Sequence, residues 1–247
     1  MSLLLAALAL VSASPAPASH PAPGGWITVA EARRLAMSGA THHACVQGVS
    51  TVETGVLQSG RWDFYLQDQS GAIQIQGKGP DAIERGTALA ACGKLGLYDA
   101  LEPEIQQAEV KVLGKARLPE PVHLTIEQAL DGEATPRLVR VRGTVQRVSI
   151  GEVRDVLWLG GDGPVLRVYL RRKETVPSAL PHTAPLGGVV EVTGILIPEE
   201  KNKFQVRLRA PSDITLLQTP EDAQVRALRL WLLGAAGIAL VIGLWVA

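Results

Sequence analysis

Cysteine and histidine are the residues of this chain with the clearest chemistry. The chain has two cysteines, Cys45 and Cys92. Two thiols can form one disulfide, but they cannot form a disulfide framework or a four-thiolate zinc site. His42, His43 and Cys45 lie in one run, and imidazole and thiolate are good zinc ligands. On a strand only His43 and Cys45 share a side, and no second pair lies at a matching spacing. We therefore predict a polar strand start, with no metal site and no cofactor.

The sequence shows no set of residues suited to covalent or acid–base catalysis. Its serines lack the context of a nucleophile elbow, and no Gly-x-x-x-x-Gly-Lys loop is present to bind phosphates. The aspartates and glutamates are scattered through turns, and no pair is placed for acid–base work. We predict that the protein is not an enzyme and has no catalytic residues.

Composition limits the class of protein. The chain has 247 residues, which suits two small domains, and 24 Lys and Arg balance 24 Asp and Glu. This neutral balance argues against a polybasic nucleic-acid coat. Glycine (25) and proline (16) are plentiful, which is typical of many short strands and turns.

The two ends of the chain carry apolar segments. Residues 1–14 are apolar and end in small residues, which predicts a secretory signal peptide, although no Lys or Arg precedes the apolar stretch. The alternative is a frayed hydrophobic start. Residues 15–25 are rich in proline and alanine, and we expect them to form a disordered spacer.

Residues 230–247 carry no charged side chain, and as a helix they would span ~27 Å, near the thickness of a bilayer core. Trp231 and Trp245 lie near the two ends, where indoles prefer the membrane interface. This predicts a transmembrane helix, with a buried core helix as the alternative. Arg226 and Arg229 before it would by themselves place the domains in the cytoplasm. The abrupt end favours instead a truncated protein with exported domains.

An internal repeat lies between these ends. Thr28 and Thr125 each begin a predicted helix as N-cap, with Glu31 or Gln128 three residues later in a capping box. Five alternating strands follow each helix start. Their matching segments are ACVQGV and VRVRGT, FYLQDQSGAIQI and LWLGGDGPVLRV, and LAACGKL and VEVTGIL, with FQVRLR as the clearest fifth strand. Glycine near the ends of strands one and four predicts sharp bends that close each unit into a small barrel.

The segments VRVRGTVQRV, FYLQDQSGAIQIQG and GGVVEVTGIL resemble strands of the oligonucleotide/oligosaccharide-binding (OB) fold. Two such domains between a signal sequence and a membrane helix resemble the extracytoplasmic sensor region of bacterial membrane histidine kinases, or the region before diguanylate cyclases. The resemblance implies a receptor that responds to a ligand or partner. The chain has no phospho-accepting histidine box and no ATP-binding segment, so kinase activity is not carried over.

The resemblance also bears on the cysteines. When the two units are aligned, Cys45 falls opposite Arg140 and Cys92 opposite Thr193, on the outward phase of their strands. Strands one and four are neighbours in an OB barrel, so the thiols can face each other. We predict a Cys45–Cys92 disulfide formed in an oxidising compartment, with two unrelated half-buried thiols as the alternative.

The outward phase of the second unit predicts a ligand surface, since aromatic rings stack and arginines hold anions on this face of OB folds. The predicted ligand-binding residues are Trp158, Arg167, Tyr169, Arg171, Arg207 and Arg209. The corresponding face of the first unit is uncharged and carries Tyr65, Gln67, Gln74 and Gln76. The alternative is a solvated barrel exterior with alternating charges.

Together these patterns predict a mainly β protein with two tandem five-stranded OB-type barrels, each preceded by a short helix, and one C-terminal transmembrane helix. The predicted segments are a signal peptide (1–14), a spacer (15–25), a first OB-type domain (26–120), a second OB-type domain (121–218), and a juxtamembrane segment with the transmembrane helix (219–247).

The predicted function is a non-catalytic, membrane-anchored sensor module of a signal-transducing receptor. We expect it at a bacterial inner membrane, with the barrels in the periplasm and a small ligand or an envelope protein as partner. Gly234 and Gly237 offer a close helix contact for a homodimer. One alternative is an OB-fold nucleic-acid-binding protein that uses the basic second barrel, although neutral charge and the anchor argue against it. The other is a structural envelope protein that binds a protein partner.

Overall fold

The computed structural model describes residues 25–39, 42–57, 61–78, 82–161, 163–172, 178, 180–200, 203–222 and 225. The strands are β1 (His43–Ser50), β2 (Asp63–Gln67), β3 (Ala72–Gly77), β4 (Thr87–Tyr98), β5 (Glu102–Lys115), β6 (Val122–Leu124), β7 (Leu138–Ile150), β8 (Arg154–Gly160), β9 (Leu166–Arg171), β10 (Val189–Glu200), β11 (Lys203–Leu208) and β12 (Ile214–Gln218). The helices are α1 (Val29–Met37), α2 (Ile126–Leu130) and α3 (Leu180–Thr183), with a 3-10 turn at Pro211–Asp213.

The first five strands form a closed barrel in the order β1-β2-β3-β5-β4. Strand β1 pairs with both β2 and β4, and the pairing of β3 with β5 is parallel. This is the five-stranded Greek-key arrangement of the OB fold, as the sequence predicts.

The second barrel repeats this arrangement with β7, β8, β9, β11 and β10. Strand β7 pairs with both β8 and β10, and β11 is parallel to β9. Two edge strands that the sequence did not predict extend the sheet. Strand β6 is parallel to β7, and β12 is antiparallel to β10. Both are too short for a periodic pattern to identify them.

Each barrel is preceded by a predicted helix, but the caps differ. Thr125 Oγ1 accepts a hydrogen bond from the N–H of Gln128 at 3.2 Å, and the Gln128 side chain accepts one from the N–H of Thr125 at 2.9 Å. This completes the predicted capping box of α2. In α1, Thr28 accepts from the N–H of Glu31, whereas the Glu31 carboxylate accepts from Arg34 Nε at 3.0 Å. The expectation of a capping box in α1 was therefore wrong, because Arg34 competes for the carboxylate.

The first turn of α1 is anchored to the turn between β2 and β3. The N–H of Val29 donates to Asp68 Oδ2 at 3.0 Å, and the N–H of Ala30 donates to Ser70 Oγ at 2.9 Å. These contacts satisfy two donors that a helix leaves free at its N-terminus. The helix then buries Val29, Ala32 and Ala36 in the first core.

Two glycines lie where strands of each barrel come closest to one another. A Cβ on Gly93 in β4 would lie 2.6 Å from the carbonyl oxygen of Gln106. A Cβ on Gly194, at the equivalent position of β10, would lie 2.5 Å from the carbonyl oxygen of Arg207. At both positions the backbone of the next strand occupies the space of a side chain, so only glycine lets the barrel close.

Each barrel has its own apolar core, and a third apolar cluster joins the barrels. This junction cluster contains Val52 and Tyr65 of the first barrel region and Leu138, Ile195 and Ile197 of the second. The last three lie on the outward face of β7 and β10, so the barrels pack side to side through their outer faces.

Within the described residues no helix is long and apolar enough to cross a membrane. The predicted transmembrane helix at 230–247, the signal peptide and most of the spacer lie outside the residues that the structure describes.

Candidate functional site

The outward face of β8, β9 and β11 gathers the charged and aromatic residues of the second barrel. Trp158 lies opposite Arg167 and Arg154 opposite Arg171 on the paired strands β8 and β9. Tyr169 of β9 lies opposite Arg207 of β11. We call this surface the arginine face and define it by Arg154, Trp158, Arg167, Tyr169, Arg171 and Arg207. It includes five of the six predicted ligand-binding residues, together with Arg154, which the sequence analysis did not include.

A cavity of about 210 Å³ opens on this face at the edge of the junction between the barrels. Leu57 lines it from the first barrel region. The second barrel contributes Val153, Arg154, Tyr169, Arg171, Gln205, Arg207 and Leu208. We call it the junction cavity.

The three arginines of the junction cavity make no ion pair with a carboxylate among the described residues. Arg171 donates to the carbonyl oxygen of Gly55 at 3.2 Å. The guanidinium of Arg154 lies 5.2 Å from the centre of the Tyr169 ring. Three like charges gathered without an ion-paired carboxylate favour the binding of an anion.

Arg167 and Tyr169 are less available than the sequence predicts. Arg167 is ion-paired with Glu199, and the hydroxyl of Tyr169 donates to Glu199 Oε1 at 3.2 Å. Tyr169 is only 9% exposed, and its burial raises the pKa of its hydroxyl. Because Arg154 covers the ring, Tyr169 offers no open surface for a ligand ring to stack on.

Trp158 is the aromatic residue that remains open on the arginine face. It is half-buried, and the guanidinium of Arg147 lies 4.8 Å from its ring centre. Arg147 belongs to β7, and the local alternation of charges did not indicate that it reaches Trp158. One side of the indole is therefore backed by a cation.

Arg209, the sixth predicted ligand-binding residue, does not belong to the arginine face. It forms a buried ion pair with Asp213 at 2.6 Å, and both side chains are less than a tenth exposed. It also donates to the carbonyl oxygen of Thr51 at 3.2 Å, across the junction. Arg209 therefore stabilises the packing of the two barrels.

The corresponding face of the first barrel is covered by the second barrel. Tyr65, Gln67 and Gln74 are only 3%, 6% and 2% exposed. Tyr65 packs in the junction cluster, and Gln67 Oε1 accepts a hydrogen bond from the N–H of Leu138 at 3.0 Å. Gln76 of this face is half-buried. The face that the first barrel would offer to a ligand is therefore largely occupied by the second barrel.

This face was predicted to be uncharged, and the structure corrects that prediction. Asp63 of β2 pairs with Gln76 of β3, and Glu104 of β5 pairs with Gln74. Together with Glu102 they form a buried acidic group. Glu102 and Glu104 could not be assigned to this face from the sequence because β5 was not delimited in the first unit.

Each of these carboxylates has a partner. The hydroxyl of Tyr65 donates to Glu102, Arg61 is ion-paired with Glu104 at 2.9 Å, and Gln74 Nε2 donates to Asp63 Oδ2 at 2.8 Å. Burial raises the pKa of Glu102 to about 7, against the opposing effects of Tyr65, Arg207 and Arg33. Burial also raises the pKa of Asp63.

Cys45 and Cys92 are joined by a disulfide. They are direct partners in the pairing of β1 with β4, and neither belongs to a core cluster, which agrees with an outward phase. Cys45 is nonetheless only 3% exposed, and Trp26 forms a parallel bridge with it. Within the described residues no group of three or more His, Cys, Asp or Glu side chains is placed to hold a metal ion.

Comparisons with known proteins add one distant relative. No family model matches the chain. The chain is 24% identical over 205 residues to Endonuclease YhcR of Bacillus subtilis (strain 168), a match that covers 78% of this chain and 16% of that protein. The chain thus spans about a sixth of the length of this curated relative.

Similar solved structures have low scores. A Replication Protein A heterotrimer bound to ssDNA matches with a TM-score of 0.34 and 14% identity, over 76% of this chain and 52% of that chain. A murine DNA binding protein bound with ds DNA matches with a TM-score of 0.38 and 9% identity, over 71% of this chain and 97% of that chain. The assignment of two OB-type barrels rests on the strand order and not on these scores.

Proposed function

We propose that this chain is a non-catalytic nucleic-acid-binding region that holds the phosphate backbone of a single strand on the arginine face of its second barrel. The observation that carries the proposal is the gathering of Arg154, Arg171 and Arg207 around the junction cavity without an ion-paired carboxylate among the described residues. Arginine guanidinium groups match the geometry of phosphate oxygens and bind them with two parallel hydrogen bonds.

The junction cavity suits a phosphate group in size and charge. Its volume of about 210 Å³ is several times the ~30 Å³ that one water molecule occupies. The three arginines come from neighbouring strands, so their charges act on the same small volume. Phosphate contacts of this kind supply most of the affinity of nucleic-acid binding without selecting a sequence.

Trp158 supports a single strand as the ligand. It lies on the same face of β8 as Arg154, four residues along the strand, which is a distance of ~13 Å. A base can stack on the open side of the indole only when it is not stacked within a duplex. A strand that lies along β8 would thus place one phosphate in the junction cavity and an unstacked base at Trp158.

The distant relative also supports the proposal. Endonuclease YhcR carries in its name an action on nucleic acid, and this chain matches a minor part of it. We propose that the matched segment serves to bind the nucleic acid and that the chemistry resides in another part of such proteins. Among the described residues that line the junction cavity, none is a carboxylate or a histidine that could act as a general base.

A sensor role in a histidine kinase stays a prediction from the sequence, because neither the described fold nor the comparisons point to it. We do propose that the barrels lie outside the cytoplasm, since disulfides persist in oxidising compartments. A reporter fused at Gly132 tests this location. A cytoplasmic Gly132 would contradict both the export and the persistence of the disulfide.

Binding is tested by fluorescence anisotropy with a labelled single-stranded oligothymidylate that has hydroxyl ends. The full chain is kept in detergent because residues 230–247 are apolar. We expect R154Q/R171Q to weaken binding by about tenfold or more. The matched control is R34Q/R117Q, which removes two exposed charges that are paired with Glu31 and Glu120. Equal affinities of the two double variants would contradict the proposal.

A further inference from the structure

Arg207 belongs to two environments at once. Its side chain lines the junction cavity of the second barrel. Arg207 is also the direct partner of Ile195 in the pairing of β11 with β10, and Ile195 packs in the junction cluster with Tyr65, whose hydroxyl donates to Glu102. The charge of Arg207 acts on Glu102 and on Asp63, which belong to the buried acidic group of the first barrel. The side chain of Arg207 makes no hydrogen bond or ion pair within the part of the chain that the structure describes, so an incoming anion does not have to displace a partner from it.

Glu102 is the carboxyl group at the centre of this arrangement. It is 5% exposed, and the Tyr65 hydroxyl of β2 donates to it. The charges that face it are Arg207 of β11, Arg33 of α1 and Glu104 on its own strand, β5. Arg33 also interacts electrostatically with Tyr65 and with Arg137. Both cations therefore favour the ionised form of Glu102, whereas burial and Glu104 oppose it.

A phosphate in the junction cavity would place a second negative charge near Arg207 and the ionised Glu102. Repulsion between the phosphate and the carboxylate disfavours the ionised form of Glu102. Protonation of Glu102 in turn removes this repulsion from the phosphate. Such coupling is reciprocal, so each event strengthens the other by the same factor.

We propose that the first barrel regulates the anion site of the second, because a phosphate in the junction cavity and a proton on Glu102 bind cooperatively. The inference rests on the proposed function and adds regulation by pH to it. The buried acidic group of the first barrel then has a role beyond packing, because the protonation of Glu102 changes the affinity of a site that this group does not line. Because the pKa of Glu102 is about 7, its protonation changes near neutral pH.

The closing experiment measures the affinity for the same oligothymidylate at pH 6 and pH 8, at constant ionic strength. Hydroxyl ends matter because a terminal phosphate titrates near pH 6. We expect the wild-type chain to bind about fivefold or more tightly at pH 6 than at pH 8. E102Q, which is neutral at both values, should bind at pH 8 with the affinity that the wild type reaches at pH 6. A gain in affinity cannot arise from a variant that merely folds less well.

The matched control is E104Q, which removes a buried carboxylate from the same strand at a position that is ion-paired with Arg61. It should keep a dependence of binding on pH, with the midpoint at a lower pH than in the wild type, because Glu104 no longer raises the pKa of Glu102. Binding that responds to pH equally in the wild type and E102Q would overturn the coupling and leave the proposed function standing. No binding at either pH would overturn the proposed function and the coupling with it.

Discussion

Gln67 of the first barrel accepts a hydrogen bond on its side-chain oxygen from the backbone N–H of Leu138 in the second, at 3.0 Å. The contact joins the outward face of β2 to the first residue of β7. It lies beside Tyr65 and the apolar junction cluster. The two barrels therefore differ in how this face is covered. The second barrel leaves it open, whereas in the first barrel it packs against the neighbouring barrel.

The first prediction concerns this contact. Q67A should lower the free energy of unfolding by about 1–3 kcal/mol, because the N–H of Leu138 then stays buried without an acceptor. The loss is measured by urea denaturation. Q76A on the same sheet face is the control and should cost less, since Gln76 is half-buried and accepts from Gln107 at an exposed position. Equal losses in the two variants would contradict a buried junction at Gln67.

The second prediction concerns the dependence of stability on pH. The pKa of Glu102 is about 7 in the folded protein, above the ordinary value of 4.5, so the folded state binds more protons than the unfolded state between these values. Its contribution to stability is therefore complete below pH 4.5 and is lost as the pH rises through 7. The full effect is on the order of 3 kcal/mol.

E102Q lacks this titration. Its free energy of unfolding, relative to that of the wild type, should therefore increase as the pH rises from 4.5 to 8. Denaturant unfolding across this range measures the difference. If the two proteins showed parallel pH profiles, Glu102 would not titrate as the buried geometry requires.

The third prediction concerns the disulfide. Cys45 and Cys92 are 47 residues apart in sequence, and closing a loop of this length stabilises the folded state by about 4 kcal/mol in the chain-entropy model. C45A/C92A should lower the free energy of unfolding by an amount of this order. Its affinity for the oligonucleotide should change little, because the arginine face belongs to the other barrel. An unchanged denaturation midpoint would show that the bridge contributes nothing to stability.

Much of the fold could be predicted from local patterns. Thr125 and Gln128 form the capping box that their spacing indicates, and Gly93 and Gly194 lie where the backbone of the neighbouring strand leaves no room for a side chain. These features depend on a few consecutive residues and on the backbone. The repeat of strand segments between the two units is equally local, so both barrels could be predicted from it.

The site was predicted only in part, because its chemistry depends on contacts between the barrels. Alternation placed Tyr65 and Gln67 on an outward face, and an outward face suggests solvent. Nothing in the pattern indicates that a second barrel covers it. For the same reason Arg209 resembled the open arginines, although Asp213 and Thr51 hold it at the junction. Edge strand β12 is likewise determined by its pairing with β10 and not by its own sequence.

The most direct test of the nucleic-acid proposal is the salt dependence of oligothymidylate binding by the wild-type chain and by R154Q/R171Q/R207Q. Each phosphate neutralised on a single strand contributes about 0.7 to the slope of log K against log salt. If the three arginines hold phosphates, the slope should be shallower by about 2 in the triple variant. A triple variant that binds with the same slope and affinity as the wild type would contradict the account, because the arginine face would then not contact the nucleic acid.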